Sequence, residues 1–281
     1  MFIKEGNKLF RSITVEKYLN RKANYHTHTP RCQHAEGTER EYIEAAIANG
    51  YEVLGFSDHG PHIYEDGYVS DVRMTMEQFE DYAEKVTALK KEYAGTIEIL
   101  LGLETEYFPK TFAKEMDILS GYPLDYMLLG QHFYDAEQTN PYAGRATADK
   151  ELIRTYVATS LEALDTGCFM YMAHPDIPEY IGDRKFFDKT MEPLYEALAA
   201  HQMPLEINVN GCRIMRNYPS RYLIDAGLRT GNRFIVGVDA HSPKELFDRE
   251  TYRACVALAA DRGGKLINVN TGLLKDTRDR L

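Results

Sequence analysis

Residues 53–62 read Val-Leu-Gly-Phe-Ser-Asp-His-Gly-Pro-His. The apolar run Val53–Phe56 stops abruptly at polar side chains. A run without the alternation of a half-exposed strand marks a strand buried on both faces, as in parallel sheets. The polar residues then sit at its C-terminal end. The pattern recurs along the chain. Ala23–Tyr25 runs into His26-Thr27-His28, with His34 six residues on. Ile97–Leu103 runs into Glu104, Tyr126–Leu129 into Gly130-Gln131-His132, and Phe169–Met172 into Ala173-His174-Pro175-Asp176. Leu205–Val209 leads to Asn210-Gly211, and Phe234–Val238 to Asp239-Ala240-His241.

Helix punctuation lies between these runs. Thr38 with Glu41, and Thr75 with Gln78, have the spacing of capping boxes. Asp149 stands where a helix begins, and Gly50 and Gly167 where helices end. Ser242, Pro243 and Glu245 combine an N-cap, a proline at the first helical position and a capping box. Strand–helix alternation repeated seven times implies a parallel sheet. The 281-residue chain has no Pro/Gly/Ser-rich linker and no internal repeat. The expected fold is therefore α/β: a single-domain, distorted (β/α)7 TIM-like barrel, one unit short of the usual eight. The barrel is expected over residues 23–281, after an N-terminal extension of residues 1–22.

Composition bounds the function. The chain is 44% hydrophobic and 27% charged, with no apolar run of the ~20 residues that span a bilayer. Its first 20 residues carry charges throughout and no apolar stretch of a signal peptide. Its four cysteines form no CxxC pair, which argues against a disulfide framework and a cysteine-based zinc knuckle. A cytoplasmic protein without membrane partners is expected. The net charge of −10 argues against sequence-independent nucleic-acid binding. It leaves phosphorylated small molecules open, because bound cations can override the global balance.

Of nine histidines, seven fall at or just after the end of a proposed strand: His26, His28, His34, His59, His132, His174 and His241. In α/β barrels the active site is built at that face. Imidazole and carboxylate are the ligands of zinc, iron and manganese. Alternate residues of a strand share a face, so His26 and His28 can hold one ion, as can Asp239 and His241. A single such pair arises by chance; the concentration at strand ends does not suit a chance origin.

The segments NYHTHTPRCQHAEGT, VLGFSDHGPH, GLETEY, YMLLGQHF, MAHPD, LEINVNG and VGVDAHS, in this order from Asn24 to Ser242, resemble the polymerase-and-histidinol-phosphatase (PHP) domain family, in its histidinol-phosphatase branch. The resemblance implies a distorted seven-stranded barrel with three divalent metal ions (zinc, iron or manganese). It implies that His26, His28, Glu104 and Asp239 hold the first, that Glu104 bridges to a second completed by His132 and His174, and that His34, His59 and His241 hold the third. The fourth-strand motif, often Gly-Ser-x-His in the family, is Gly-Gln-His here.

The activity implied is hydrolysis of a phosphomonoester, L-histidinol phosphate in histidine biosynthesis, with a metal-bridging hydroxide as nucleophile. Asp58, His62 and Asp176 are the candidates to protonate the leaving group or to orient ligands, Asp58 chiefly toward His59. Arg184, Arg213 and Arg216 are the candidates to fork a phosphate. Cys32, near His34, is read as a small pocket-wall residue. The competing readings are a PHP phosphoesterase of another substrate (a sugar phosphate or a nucleotide), an amidohydrolase-like metal hydrolase, and a non-catalytic metal-binding protein. Oligomeric state is not legible in the sequence.

Overall fold

Seven short strands pair in parallel and in strict sequence order. They are β1 (Ala23–Asn24), β2 (Val53–Phe56), β3 (Glu98–Thr105), β4 (Tyr126–Leu129), β5 (Tyr171–Met172), β6 (Leu205–Asn208) and β7 (Phe234–Gly237). This computed structural model describes Ile13, Lys17 and residues 21–269 except 65. Most of the extension expected over residues 1–22, and the end of the chain from 270, therefore lie outside the described residues. Ile13 donates its backbone N–H to Asp125 O at 3.1 Å.

Helices alternate with the strands: α1 (Glu39–Ala48), α2 (Met76–Glu92), α3 (Phe112–Leu119), α4 (Lys150–Asp165), α5 (Arg184–Ala200), α6 (Val209–Arg213), α7 (Arg221–Thr230) and α8 (Arg249–Ala260). All three expected capping boxes form, at Thr38/Glu41, Thr75/Gln78 and Ser242/Glu245. Asp149 caps α4. Gly50 and Gly167 adopt positive φ. The turn after Ser242 is only a 3-10 turn, Pro243–Phe247, and α8 starts beyond it at Arg249, capped by Asp248. The sixth run is also cut short: Asn208 turns its side chain to Gly211 N and starts α6 at Val209. Among the described residues no helix is long and apolar enough to cross a membrane.

Between β7 and β1 the ladder reduces to a seam. Ala240 N donates to His26 O at 3.2 Å and His28 N to Ala240 O at 2.9 Å. This explains why β1 ends at Asn24: beyond it, the backbone pairs across the seam. Lower down, residues 265–268 lie in the gap. Phe234 N donates to Lys265 O, and Ala23 N to Asn268 O. The Asn268 amide then donates to Ala23 O at 2.7 Å and Val236 O at 2.8 Å, and accepts from Val236 N at 3.0 Å. A side chain and a short segment thus stand where an eighth strand would close the barrel.

Inside, the Tyr126 ring fills the interior. Its hydroxyl donates to Tyr25 O at 2.6 Å. A Cβ at Gly55 would lie 2.2 Å from the Tyr126 hydroxyl oxygen, and one at Gly102 2.4 Å from the Tyr126 ring, so both strands need glycine there.

Candidate metal centre

β3 runs two residues past the expected boundary, so Glu104 lies within the strand and is fully buried. Its two oxygens face two sets of imidazoles. Oε2 lies 3.3 Å from His26 Nε2, 3.5 Å from His28 Nε2 and 3.2 Å from His59 Nδ1. Oε1 lies 3.0 Å from His174 Nε2 and 3.5 Å from His132 Nε2. Asp239 Oδ1 lies 3.0 Å from His28 Nε2, 3.4 Å from His26 Nε2 and 3.5 Å from His241 Nδ1. The outer part of the cluster is His34, His59 and His241: the His34 ring is 4.9 Å from His241 and 5.4 Å from His59, centroid to centroid. His34 and His241 turn Nδ1 to backbone oxygens, of Cys32 at 2.6 Å and Asp239 at 3.0 Å, which leaves each Nε2 available.

The nine ligand side chains implied by the resemblance form one continuous cluster. His28 joins its parts, since its ring stacks on that of His241 at 4.1 Å. His28, His59 and His241, His26, His28 and Glu104, and His26, His174 and Asp239 each bring three ligand atoms within one ion's reach.

The donor set fits divalent metal ions. Both oxygens of Glu104, Oδ1 of Asp239 and Nε2 of His26 are buried without a hydrogen bond. Buried carboxylate oxygens are normally satisfied, and these point at imidazole nitrogens in metal-ligand combinations. Burial opposes charge on Glu104, yet the surrounding histidines hold it well below the usual carboxylate range. Asp239 is likewise held low against burial, chiefly by His26 and His28. Burial also works against charge on His28, but Asp239 and Asp58 lift it to about 9. Burial and the charge on His28 together push His241 down to about 3.

The fold spends strain and space here. His174 and Asp239 have φ of 28° and 53°, a region that residues other than glycine seldom adopt. A Cβ at Gly130 would lie 2.3 Å from Glu104 Oε1, so only glycine lets that carboxylate stand where it does.

The candidates for proton transfer separate. Asp58 accepts from Thr29 Oγ1 and from His59 N at 2.8 Å, and lies 3.4 Å from His28 Nδ1. Its side chain thus faces the His28 ring as well as holding the His59 backbone that the expectation favoured. His62 is sandwiched between carboxylates: Nε2 lies 3.0 Å from Glu106 and Nδ1 3.1 Å from Glu115. Neither nitrogen is turned to the cluster. Asp176 accepts from Ser220 N at 2.7 Å through Oδ2, while Oδ1 is buried without a partner. Burial raises its pKa to about 6.

The arginines separate too. Arg184 is largely exposed, pairs with Asp188 at 2.5 Å and lies over the Tyr222 ring. Arg213 is tied to Glu245 at 2.7 Å and Asp248 at 3.3 Å. Both are thus engaged by carboxylates as placed. Arg216 is exposed and electrostatically coupled to Tyr142 and Tyr218. Those rings lie beside His132 and His174, with centroids 6.3 and 5.5 Å away. Cys32 is buried beside His34 and His241.

Two carboxylates missed in the sequence stand behind the candidate ligands. Glu206 Oε1 lies 2.8 Å from His26 Nδ1, while Oε2 accepts from His174 N at 2.8 Å and Asn208 Nδ2 at 3.0 Å. A Cβ at Gly237 would lie 1.8 Å from Glu206 Oε1. Glu106 Oε1 lies 3.1 Å from His132 Nδ1. A signal existed for both: Glu206 is a lone charge inside an apolar run, and Glu106 shares the strand face of Glu104.

The fold and the cluster have counterparts in known proteins. The PHP domain family profile matches residues 24–210. A probable histidinol-phosphatase of Deinococcus radiodurans is 31% identical over 253 residues, covering 86% of this chain and 94% of the relative. The histidinol-phosphatase of Bacillus subtilis is 34% identical over 119 residues, 40% of this chain and 44% of that one. In fold, the chain is similar to a histidinol phosphate phosphatase from Lactococcus lactis, crystallised with zinc, L-histidinol and phosphate. The TM-score is 0.66 at 21% identity, over 88% of this chain and 95% of the other. With its profile match spanning most of the barrel, and its strand-end histidines gathered around Glu104, this chain belongs to the PHP domain family.

Proposed function

We propose that the protein is a metal-dependent phosphomonoester hydrolase whose substrate is L-histidinol phosphate. One observation carries the reading: five imidazoles converge on the two oxygens of a single buried carboxylate, Glu104. That arrangement suits a bridge between two cations. The similarity to a probable histidinol-phosphatase over 86% of this chain supports the substrate.

In this reading His26, His28, Glu104 and Asp239 hold one divalent ion, Glu104, His132 and His174 a second, and His34, His59 and His241 a third, with zinc, iron and manganese as the possible metals. Bound divalent ions bring a water's pKa toward neutrality and neutralise charge on phosphoryl oxygens. The chain's own residues do the rest. Glu206 fixes His26 and the backbone of His174, and Asp58 holds the backbone of His59 and stands 3.4 Å from His28 Nδ1. Arg216, which has no carboxylate partner among the described residues, is assigned to the substrate's phosphate end. Asp176 keeps one oxygen unengaged, and the proposal assigns it the leaving-group proton. Four cysteines without disulfides accord with a cytoplasmic location.

The test is phosphate release from L-histidinol phosphate, with p-nitrophenyl phosphate and a nucleotide in parallel, after loading with zinc, manganese or iron. A kcat/KM for histidinol phosphate far above the other two is the expected outcome. Equal, slow hydrolysis of all three sinks the substrate assignment, and no metal-dependent hydrolysis of any sinks the enzyme reading.

A further inference from the structure

Glu106 follows Glu104 by two residues, yet its surroundings are the opposite. Each of its oxygens has two partners. Arg73 grips it with both terminal guanidinium nitrogens, Nη1 to Oε2 at 2.7 Å and Nη2 to Oε1 at 3.0 Å. His62 lies on Oε2 and His132 Nδ1 on Oε1. Arg73 is itself buried, with 2% of its surface exposed. Its Nε donates to Glu137 Oε2 at 2.7 Å and Nη1 to Gly60 O at 3.3 Å. Glu137 in turn accepts from Ser70 Oγ at 2.6 Å and Tyr64 OH at 2.5 Å. The guanidinium thus ties three connections together: the loop after β2, the end of β3 and the loop after β4.

A histidine that offers Nε2 to a cation must carry its proton on Nδ1. A carboxylate facing Nδ1 selects that tautomer and sets the ring's direction. His132 needs such help. It lies three residues beyond β4, outside the ladder, and its Nε2 points to Glu104 Oε1. Glu106 supplies the acceptor. A buried carboxylate keeps its charge and place only when a cation is fixed beside it, and the two-pronged bond from Arg73 does that.

We propose that Glu106 and Arg73 are a positioning pair that fixes His132 for metal binding. The inference rests on the reading of His132 as a ligand given above. Neither residue touches the substrate or the reacting atoms; Glu106 acts through His132, and Arg73 through Glu106.

Zinc titration by calorimetry, with bound zinc counted after dialysis, tests this on the full chain. Glu106→Gln should weaken one class of zinc site by about 10–100-fold and leave the others unchanged. His132→Ala should lose the same class, and adding Glu106→Gln to it should cost nothing further. Arg73→Lys, which keeps the charge but not the fork, should fall between wild type and Glu106→Gln. A merely structural role would lower thermal stability without singling out one site. A folded Glu106→Gln protein with wild-type zinc binding overturns the proposal. A second measurement needs no variant to fold: nitrogen NMR of the zinc-loaded wild-type imidazoles should find His132 protonated at Nδ1, and a proton on Nε2 overturns it. Wild-type protein that binds no zinc would sink the metal-enzyme reading and this inference with it. Normal wild-type binding with an indifferent Glu106→Gln sinks this inference alone.

Discussion

Glu206 and Glu106 each hold a histidine of the same centre, and they are held by different parts of the molecule. Glu206 stands on β6 and is satisfied from neighbouring strands and strand ends: His26, the His174 backbone, Asn208 and Tyr171. Gly237 on β7 makes the room it needs. Glu106 lies just past β3 and is satisfied by Arg73, which belongs to a loop anchored to another loop through Glu137. One side of the centre is therefore positioned by the barrel wall. The other is positioned by a buried ionic network spanning connections that can open separately from the sheet. The difference teaches that two similar carboxylate–histidine contacts can draw on different reserves of rigidity.

The harshest way to break the comparison is to remove the group on which both sides converge. Glu104→Gln should leave the barrel folded, as judged by circular dichroism, and lower turnover by more than about 10³-fold, beyond the loss of one transition-state hydrogen bond. Near-normal turnover would show that the two sides do not meet at Glu104. Next comes Glu206→Gln, which puts a donor where two donors already point. Zinc binding should weaken about 10–100-fold, and urea denaturation should show a loss of about 1–3 kcal/mol because barrel contacts go with it. Unchanged stability would mean that the wall does not rely on this carboxylate.

A milder probe separates the loop side by pH. Burial and Arg73 oppose charge on His62, but Glu115 and Glu106 outweigh them and raise its pKa above 6.5. Burial opposes charge on Glu115, yet His62 draws its pKa below 4.5. The raised His62 stabilises fully below its unfolded value and loses that contribution as pH climbs through its folded value. The lowered Glu115 stabilises above its unfolded value and loses that contribution as pH falls through its folded one. The stability gap between wild type and Glu115→Gln should therefore be widest between roughly pH 4.5 and 6.5 and shrink on either side. A gap that widens steadily toward alkaline pH would contradict the pairing. The smallest effect belongs to a residue outside both sides. Arg184→Ala removes an exposed pair with Asp188, so kcat/KM should stay within about twofold of wild type and stability within ~0.5 kcal/mol.

Much of this was legible in the chain itself. Buried parallel strands announce themselves as unbroken apolar runs, and six of the seven meet polar chemistry at their ends. Alternation then places His26 with His28 on one face. Boundaries were less legible where partners lie far off in sequence. β1 stops at Asn24 because His26 and His28 pair with Ala240, more than 200 residues away. For the same reason, several of the remaining polar residues are engaged elsewhere than proximity in sequence suggests. His62 and Asp58 stand near the ligands in sequence, but carboxylates and a hydroxyl from other elements claim their polar atoms. Arg184 and Arg213 follow strands as phosphate-binding arginines would, yet each finds a carboxylate close by.

By itself, then, the sequence determined the strand order, the parallel barrel and the donor atoms gathered at one face. These depend on residue type and on the two-residue period of a strand, both local properties. Only the tertiary structure decided how the barrel closes through Asn268, which carboxylate backs which imidazole, and that Arg73 is buried at the heart of an ionic network. Those outcomes depend on groups brought together from distant elements, and a buried charge takes whichever partner the finished packing puts within reach.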